Sequence, residues 1–288
     1  MRLALGTAQF GLDYGVANTG GKVKSDQVRA ILACAANHGV NTLDTAIAYG
    51  DSEQCLGAAG VTGWQIVSKL PAFSVSDDKV EDWVQASLHG SLERLRVPSL
   101  DGLLLHRPQQ LLGSHGKRLY QALDSLKHQG LVKKIGISIY DPEELDILWP
   151  HYRFDLVQVP FNIIDRRIVL SGWLERMSES GVEVHARSAF LQGLLLMQPS
   201  ARLERFRRWQ PLWEQWDHWL DDQGMSALQA CLGFVVAQPE ISRVVVGVDS
   251  LSQLQEILAC AALKTVSPPA KLYSADEELI NPSRWSSP

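Results

Sequence analysis

The sequence predicts an α/β fold, a (β/α)8 TIM barrel in one domain, on three observations. Short apolar runs of strand length alternate with amphipathic stretches of helix length along most of the chain. Eight such runs can be counted, and 288 residues is a length at which barrels of this kind form a single domain. The barrel is assigned to 1–263; the tail, 264–288, is irregular and rich in Pro and Ser, and either folds over the active site or is disordered.

The elements follow in order. "RLALGTA" (2–8) is a strand and 26–38 its helix, with Ser25 as cap; "NTLDTA" (41–46) is followed by a helix over 52–58. "WQIVSKL" (64–70) pairs with a helix over 77–95, and "DGLLLH" (101–106) with one over 117–129. "KKIGISI" (133–139) precedes 142–148, which opens on Asp141-Pro142, and "DLVQVP" (155–160) precedes 166–180, which opens after Asp165. "VEVHARS" (182–188) and "SRVVVGV" (242–248) lead to helices over 226–237 and 250–262. An insertion from Leu191 to Gly224 separates the seventh strand from its helix, and Trp209, Trp213, Trp216 and Trp219 recur in it at helical spacing. That stripe reads as an extra helix packed on the barrel's flank in preference to a substrate-contacting wall.

A net charge of -5 and a pI near 5.9 argue against a nucleic-acid footprint, so the expected partner is a small molecule. "MRLALGTAQF" is too short and polar for a signal peptide or membrane span, which places the chain in the cytoplasm. Cys34, Cys55, Cys231 and Cys260 are isolated, with neither metal nor disulfide spacing, and read as reduced.

In such barrels chemistry sits at the C-terminal ends of the strands. Asp44 ends the second strand, Tyr49 lies on the loop after it, Lys69 ends "QIVSK" and His106 ends "GLLLH". Taken singly, each has a structural explanation: a turn cap, a core-edge ring, a snorkelling lysine, a buried imidazole. Jointly they suit carbonyl reduction. Asp44 would pair with Lys69, the ammonium would lower the pKa of the Tyr49 phenol, and His106 would orient the carbonyl oxygen.

These residues resemble the aldo-keto reductase superfamily over nearly the whole chain. "LGTAQFG" (5–11) is similar to its first-strand segment, "DTAIAYGDSEQCLG" (44–57) to its Asp…Tyr-Gly-x-Ser-Glu signature, and "VSKL" and "LLHRP" to its lysine and histidine strands. "IGISIYD", "VQVPFNIID", "RSAFLQGLL" and "VVVGVDSLSQLQEIL" fall where that family holds its nicotinamide cofactor. The resemblance implies a catalytic tetrad of Asp44, Tyr49, Lys69 and His106, with Tyr49 as general acid. It implies cofactor contacts from Thr7, Ser138, Gln158, Arg187, Ser188, Gln192, Gly247, Asp249, Gln253 and Glu256, no metal, and a monomer.

Several positions depart from the family pattern. Ile139 stands where many members have Asn, leaving Asn162 as a candidate helper, and Arg187 stands where many stack an aromatic ring on the nicotinamide. Ala8 replaces a pocket tryptophan of some members. No Lys or Arg follows the eighth strand to take a ribose phosphate. Family habit puts NADPH ahead of NADH, whereas Asp249 as acceptor of a ribose hydroxyl would favour NADH; alternatively Ser250 and Gln253 form a capping box and the helix N-terminus meets the phosphate. Candidate substrate residues are Tyr14, Phe73, Arg107, Phe161 and Trp285, for an aldehyde, a ketone or an open-chain sugar derivative. Two other functions compete: a cofactor-binding redox sensor with little turnover, and a metal-dependent hydrolase using His106 and His185, against which stands the lack of an H-x-H pair.

Overall fold

The computed structural model describes residues 1–73, 79–261, 263 and 267–285. Eight parallel strands close into a barrel in sequence order: β1 (Leu3–Gly6), β2 (Thr42–Asp44), β3 (Gln65–Leu70), β4 (Leu100–Leu105), β5 (Val132–Ser138), β6 (Leu156–Pro160), β7 (Glu183–Arg187) and β8 (Arg243–Gly247). β8 closes on β1 with Leu3 opposite Val244 and Gly6 opposite Gly247. The helices between them are α1 (Ser25–Asn37), α2 (Ser52–Ala59), α3 (Val80–Leu95), α4 (Gly116–His128), α5 (Glu143–Leu148), α6 (Arg167–Leu170), α7 (Trp173–Glu179), α8 (Gln210–Gln223), α9 (Ala227–Val236), α10 (Leu251–Cys260) and α11 (Glu277–Ile280). Among the described residues no helix is long and apolar enough to cross a membrane.

The helix expected over 166–180 is broken in two. Gly172, at φ 76, takes the left-handed conformation between α6 and α7, which a residue with a Cβ adopts only at a cost. Ser25 is the first helical residue of α1 and makes no capping bond; Lys24 holds the cap position. Residues 77, 78 and 262, expected in helices, lie outside the described residues. So do 264–266 and 286–288 of the tail.

Alternation along each strand sorts the barrel interior into layers, because residues two apart share a face. Val67, Leu104 and Leu156 form an apolar middle layer. Below it Glu183 accepts from His185 (2.7 Å) and pairs with Lys134, and Arg243 donates to Thr42. Above it, two residues on from Val67 and from Leu156, stand Lys69 and Gln158. The site is therefore a buried polar layer on an apolar floor.

In the insertion, α8 buries Trp213, Trp216 and Trp219 in the main hydrophobic core, and Trp213 Nε1 donates to the Phe206 carbonyl (2.9 Å). The tail's described residues pack beside the loop after β6: Ser274 N–H donates to the Ile164 carbonyl (3.0 Å), Arg166 donates to the Leu272 carbonyl (2.8 Å), and Leu279 and Ile280 are buried.

Candidate active site

Asp44 is the last residue of β2, and β3 and β6 aim Lys69 and Gln158 at its two carboxylate oxygens. Lys69 Nζ donates to Asp44 Oδ1 (2.7 Å) and to the Thr45 carbonyl (2.9 Å), while Gln158 Nε2 donates to Asp44 Oδ2 (2.6 Å). Ser138 Oγ donates to Gln158 Oε1 (3.4 Å), so one hydrogen-bonded chain ties β3, β2, β6 and β5 together. All four side chains are buried. Burial pushes the Lys69 pKa down, against the pull of Asp44, which favours the ammonium.

Tyr49 reaches this layer on the turn after β2. Its loop is held against the β1 loop so closely that a Cβ on Gly11 would lie 1.9 Å from the Tyr49 carbonyl oxygen. Lys69 Nζ lies 5.1 Å from the centre of the Tyr49 ring, and the His106 ring meets it edge-on at 5.9 Å. The expected lowering of the phenol pKa by Lys69 is not what this geometry produces. Burial, then the Asp44 charge, push the Tyr49 pKa well above its ordinary value, with Arg187 acting in the opposite direction. The reason is that Asp44 neutralises Lys69 at hydrogen-bond distance, so dehydration of the phenol dominates. Tyr49 is thereby kept protonated, the state a proton donor needs. Burial, with Lys69 and Arg187 nearby, lowers His106 to about 4, so its imidazole is neutral at pH 7.

These groups open into a cleft of about 520 Å³, a volume suited to a cofactor-sized ligand. Asp44, Tyr49, His106, Ser138, Gln158 and Arg187 line one end; Gly247, Asp249, Gln253 and Glu256 line the other; Thr7, Tyr14, Ser188 and Gln192 also face it. Lys69 lies beneath, fully buried. Gln192 Nε2 donates to Tyr14 Oη (3.2 Å), and burial pushes the Tyr14 phenol up to about 12.

The other four candidate substrate residues do not line the cleft. Phe73 packs against Trp83 and His115, fully buried Phe161 stacks near Phe234, and Trp285 sits edge-on to Phe206 and donates to the Glu278 carbonyl (3.1 Å). Arg107 stands over the Tyr140 ring, 5.8 Å from its centre. Asn162 is committed elsewhere: its Oδ1 accepts from the Ile164 and Asp165 amides and its Nδ2 donates to the Ser188 carbonyl. Arg187 is likewise engaged, 4.4 Å from the centre of the Tyr140 ring and donating to the Ile139 carbonyl (2.8 Å). Tyr140 and Gln9 line the cleft without having been singled out in the sequence. Tyr140 carried a usable signal, a polar aromatic directly after the apolar "IGISI".

Two residues of the Tyr-Gly-x-Ser-Glu segment serve the scaffold. Ser52 Oγ donates to the Thr7 carbonyl (2.8 Å), and Glu53 accepts from Ser68, Ser91 and Arg94. His185 lies in the lower layer on Glu183, away from His106, and among the described residues no three metal-ligating side chains converge.

A model of the aldo/keto reductase family matches residues 2–268. The chain belongs to that family. It is 26% identical to D-threo-aldose 1-dehydrogenase of a Pseudomonas species over 96% of both chains, and 26% identical to L-galactose dehydrogenase of Arabidopsis thaliana, covering 91% of this chain and 86% of that one. The fold is similar to that of an aldo-keto reductase from Bacillus halodurans in its holo form (TM-score 0.74, 19% identity, 99% and 94% coverage). It is also similar to a glycerol dehydrogenase from Gluconobacter oxydans (TM-score 0.71, 22% identity, 92% and 88% coverage).

Aldo-keto reductases use nicotinamide cofactors, and this cleft has the features to hold one. At the end of β8, Gly247 leaves room that a Cβ would close, since it would lie 2.6 Å from the Gln9 amide atoms. Beside it, Asp249 Oδ1 is buried without a hydrogen-bond partner among the described residues.

Proposed function

We propose that this chain interconverts a carbonyl and an alcohol on a sugar-derived substrate, with a nicotinamide cofactor held along the cleft. The reading is carried by one observation: the buried Lys69–Asp44 pair set against the Tyr49 ring, with neutral His106 edge-on to that ring, at the end of a cleft of cofactor size. A nicotinamide bound there would supply or accept the hydride. In reduction, the Tyr49 hydroxyl gives its proton to the carbonyl oxygen, and His106, through a ring N–H, donates a hydrogen bond that orients the same oxygen. Burial keeps the Tyr49 phenol protonated and so able to donate, and Asp44 holds Lys69 charged and in place beside the ring. Ser138 and Gln158 offer amide-matching groups at the same end, and the Tyr14 and Tyr140 rings bound the space for substrate.

The sugar reading is supported by the names of relatives: besides the two dehydrogenases above, a D-arabinose 1-dehydrogenase of Saccharomyces cerevisiae and a 6-dehydroglucose reductase of Agrobacterium fabrum are similar to this chain. The test is a panel of aldoses, sugar-derived ketones and simple aldehydes, followed by nicotinamide absorbance in both directions. Tyr49→Phe is expected to lower turnover by roughly 10²–10⁴-fold while leaving cofactor affinity within a few-fold, because only the proton donor is removed. Unchanged turnover in that variant refutes the mechanism. Tight cofactor binding with no turnover on any substrate refutes the enzymatic reading.

A further inference from the structure

The far wall of the cleft is formed by the end of β8 and the first turns of α10, and its polar chemistry is one-sided. Asp249 and Glu256 both face the cleft there, and among the described residues no lysine or arginine lines that wall. Arg187, at the catalytic end, is the cleft's one lining cation among them. Asp249 Oδ1 is buried with no donor among the described residues, and burial pushes the carboxyl's pKa up, against a Gln253 side-chain hydrogen bond to the carboxyl that lowers it. A buried acceptor left without a donor is costly, so a ligand hydroxyl delivered to this carboxylate relieves a defect already built into the wall.

The helix terminus beside it already has part of its N–H set engaged. The Asp249 amide donates to Gln253 Oε1 (2.7 Å) and the Gln253 amide to Ser250 Oγ (3.3 Å), so two N–H groups that a phosphate would use are taken by the cap.

We propose that Asp249 selects the unphosphorylated cofactor: its carboxylate accepts the ribose 2′-hydroxyl at the adenosine end of NADH, and with Glu256 it turns away the 2′-phosphate of NADPH. The inference rests on the nicotinamide reading of the cleft. A phosphate at that hydroxyl removes the donor and sets like charges side by side where no cation offsets them. Family habit favours NADPH, whereas the chemistry of this wall favours NADH.

The experiment is a pair of fluorescence titrations of the full chain with NADH and with NADPH, on wild type and on Asp249→Ser. Wild type is expected to bind NADH at least about tenfold tighter than NADPH, and Asp249→Ser to bring the two affinities within about threefold. The ratio is read within one protein preparation, so a partly unfolded variant lowers both signals alike and leaves it intact. Equal or tighter NADPH binding by wild type, or an unchanged ratio in the variant, overturns the inference alone. Binding of neither cofactor by wild type overturns it together with the nicotinamide reading.

Discussion

Replacing Lys69 by Met isolates the electrostatic role of the buried pair from its packing role. The Lys69 side chain is fully buried, and Met keeps an unbranched apolar chain of similar length, so little cavity is created. What is lost is the donor at 2.7 Å from Asp44 Oδ1 and 2.9 Å from the Thr45 carbonyl. Asp44 would remain as a carboxylate only 4% exposed, with Gln158 its one remaining side-chain donor among the described residues. Breaking a buried pair from one side costs about 3–5 kcal/mol, because an uncompensated charge stays inside. At about 2 °C per kcal/mol for a chain of this size, the melting temperature should fall by about 6–10 °C. Lys69→Met with Asp44→Asn removes the orphaned charge and should recover more than about 1 kcal/mol of the loss. Urea and thermal melts at pH 7, followed by tryptophan emission, measure Lys69→Met, Asp44→Asn and the double variant. A Lys69→Met protein melting within about 1 °C of wild type, or a double variant whose losses simply add, would falsify the view that this pair is electrostatically coupled in the core.

Two further outcomes are expected. His106 titrates near 4 in the fold and near 6.5 when unfolded, so between those values the unfolded chain binds the extra proton; stability therefore falls as pH drops through that window, and His106→Gln should lose less across it in urea melts. Equal losses for the two proteins would show that another group carries the dependence. Trp213→Ala should cost about 3–5 kcal/mol through lost packing and the lost bond to the Phe206 carbonyl, yet leave cofactor affinity per folded molecule within about twofold, since Trp213 does not line the cleft. A selective loss of cofactor binding in an intact fold would mean that the tryptophan helix shapes the site.

The strands and the residues at their ends were legible because both are local. Inward and outward faces alternate with a period of two, so an apolar run followed by Asp44, Lys69 or His106 already declares which residues stand above the barrel's apolar layer. The break between α6 and α7 was less visible, because a glycine such as Gly172 is tolerated inside many helices and shows its left-handed conformation only in the folded chain. Trp285 and Phe161 looked like pocket aromatics for want of a packing partner in the sequence. Phe206 and Phe234 supply those partners from distant segments.

By itself the sequence determined the barrel, the four titratable residues at the C-terminal ends of its strands and the loop after β2, and the absence of a cation directly after β8, since each is written within a single βα unit. Tertiary structure alone decided how those residues act on one another. It set Asp44 against Lys69 so that burial governs the Tyr49 phenol, turned Arg187 onto Tyr140, and left Asp249 Oδ1 without a donor among the described residues. The physical reason is that desolvation and pairing depend on which distant strands converge, and barrel closure brings them together in space without leaving a mark on local sequence.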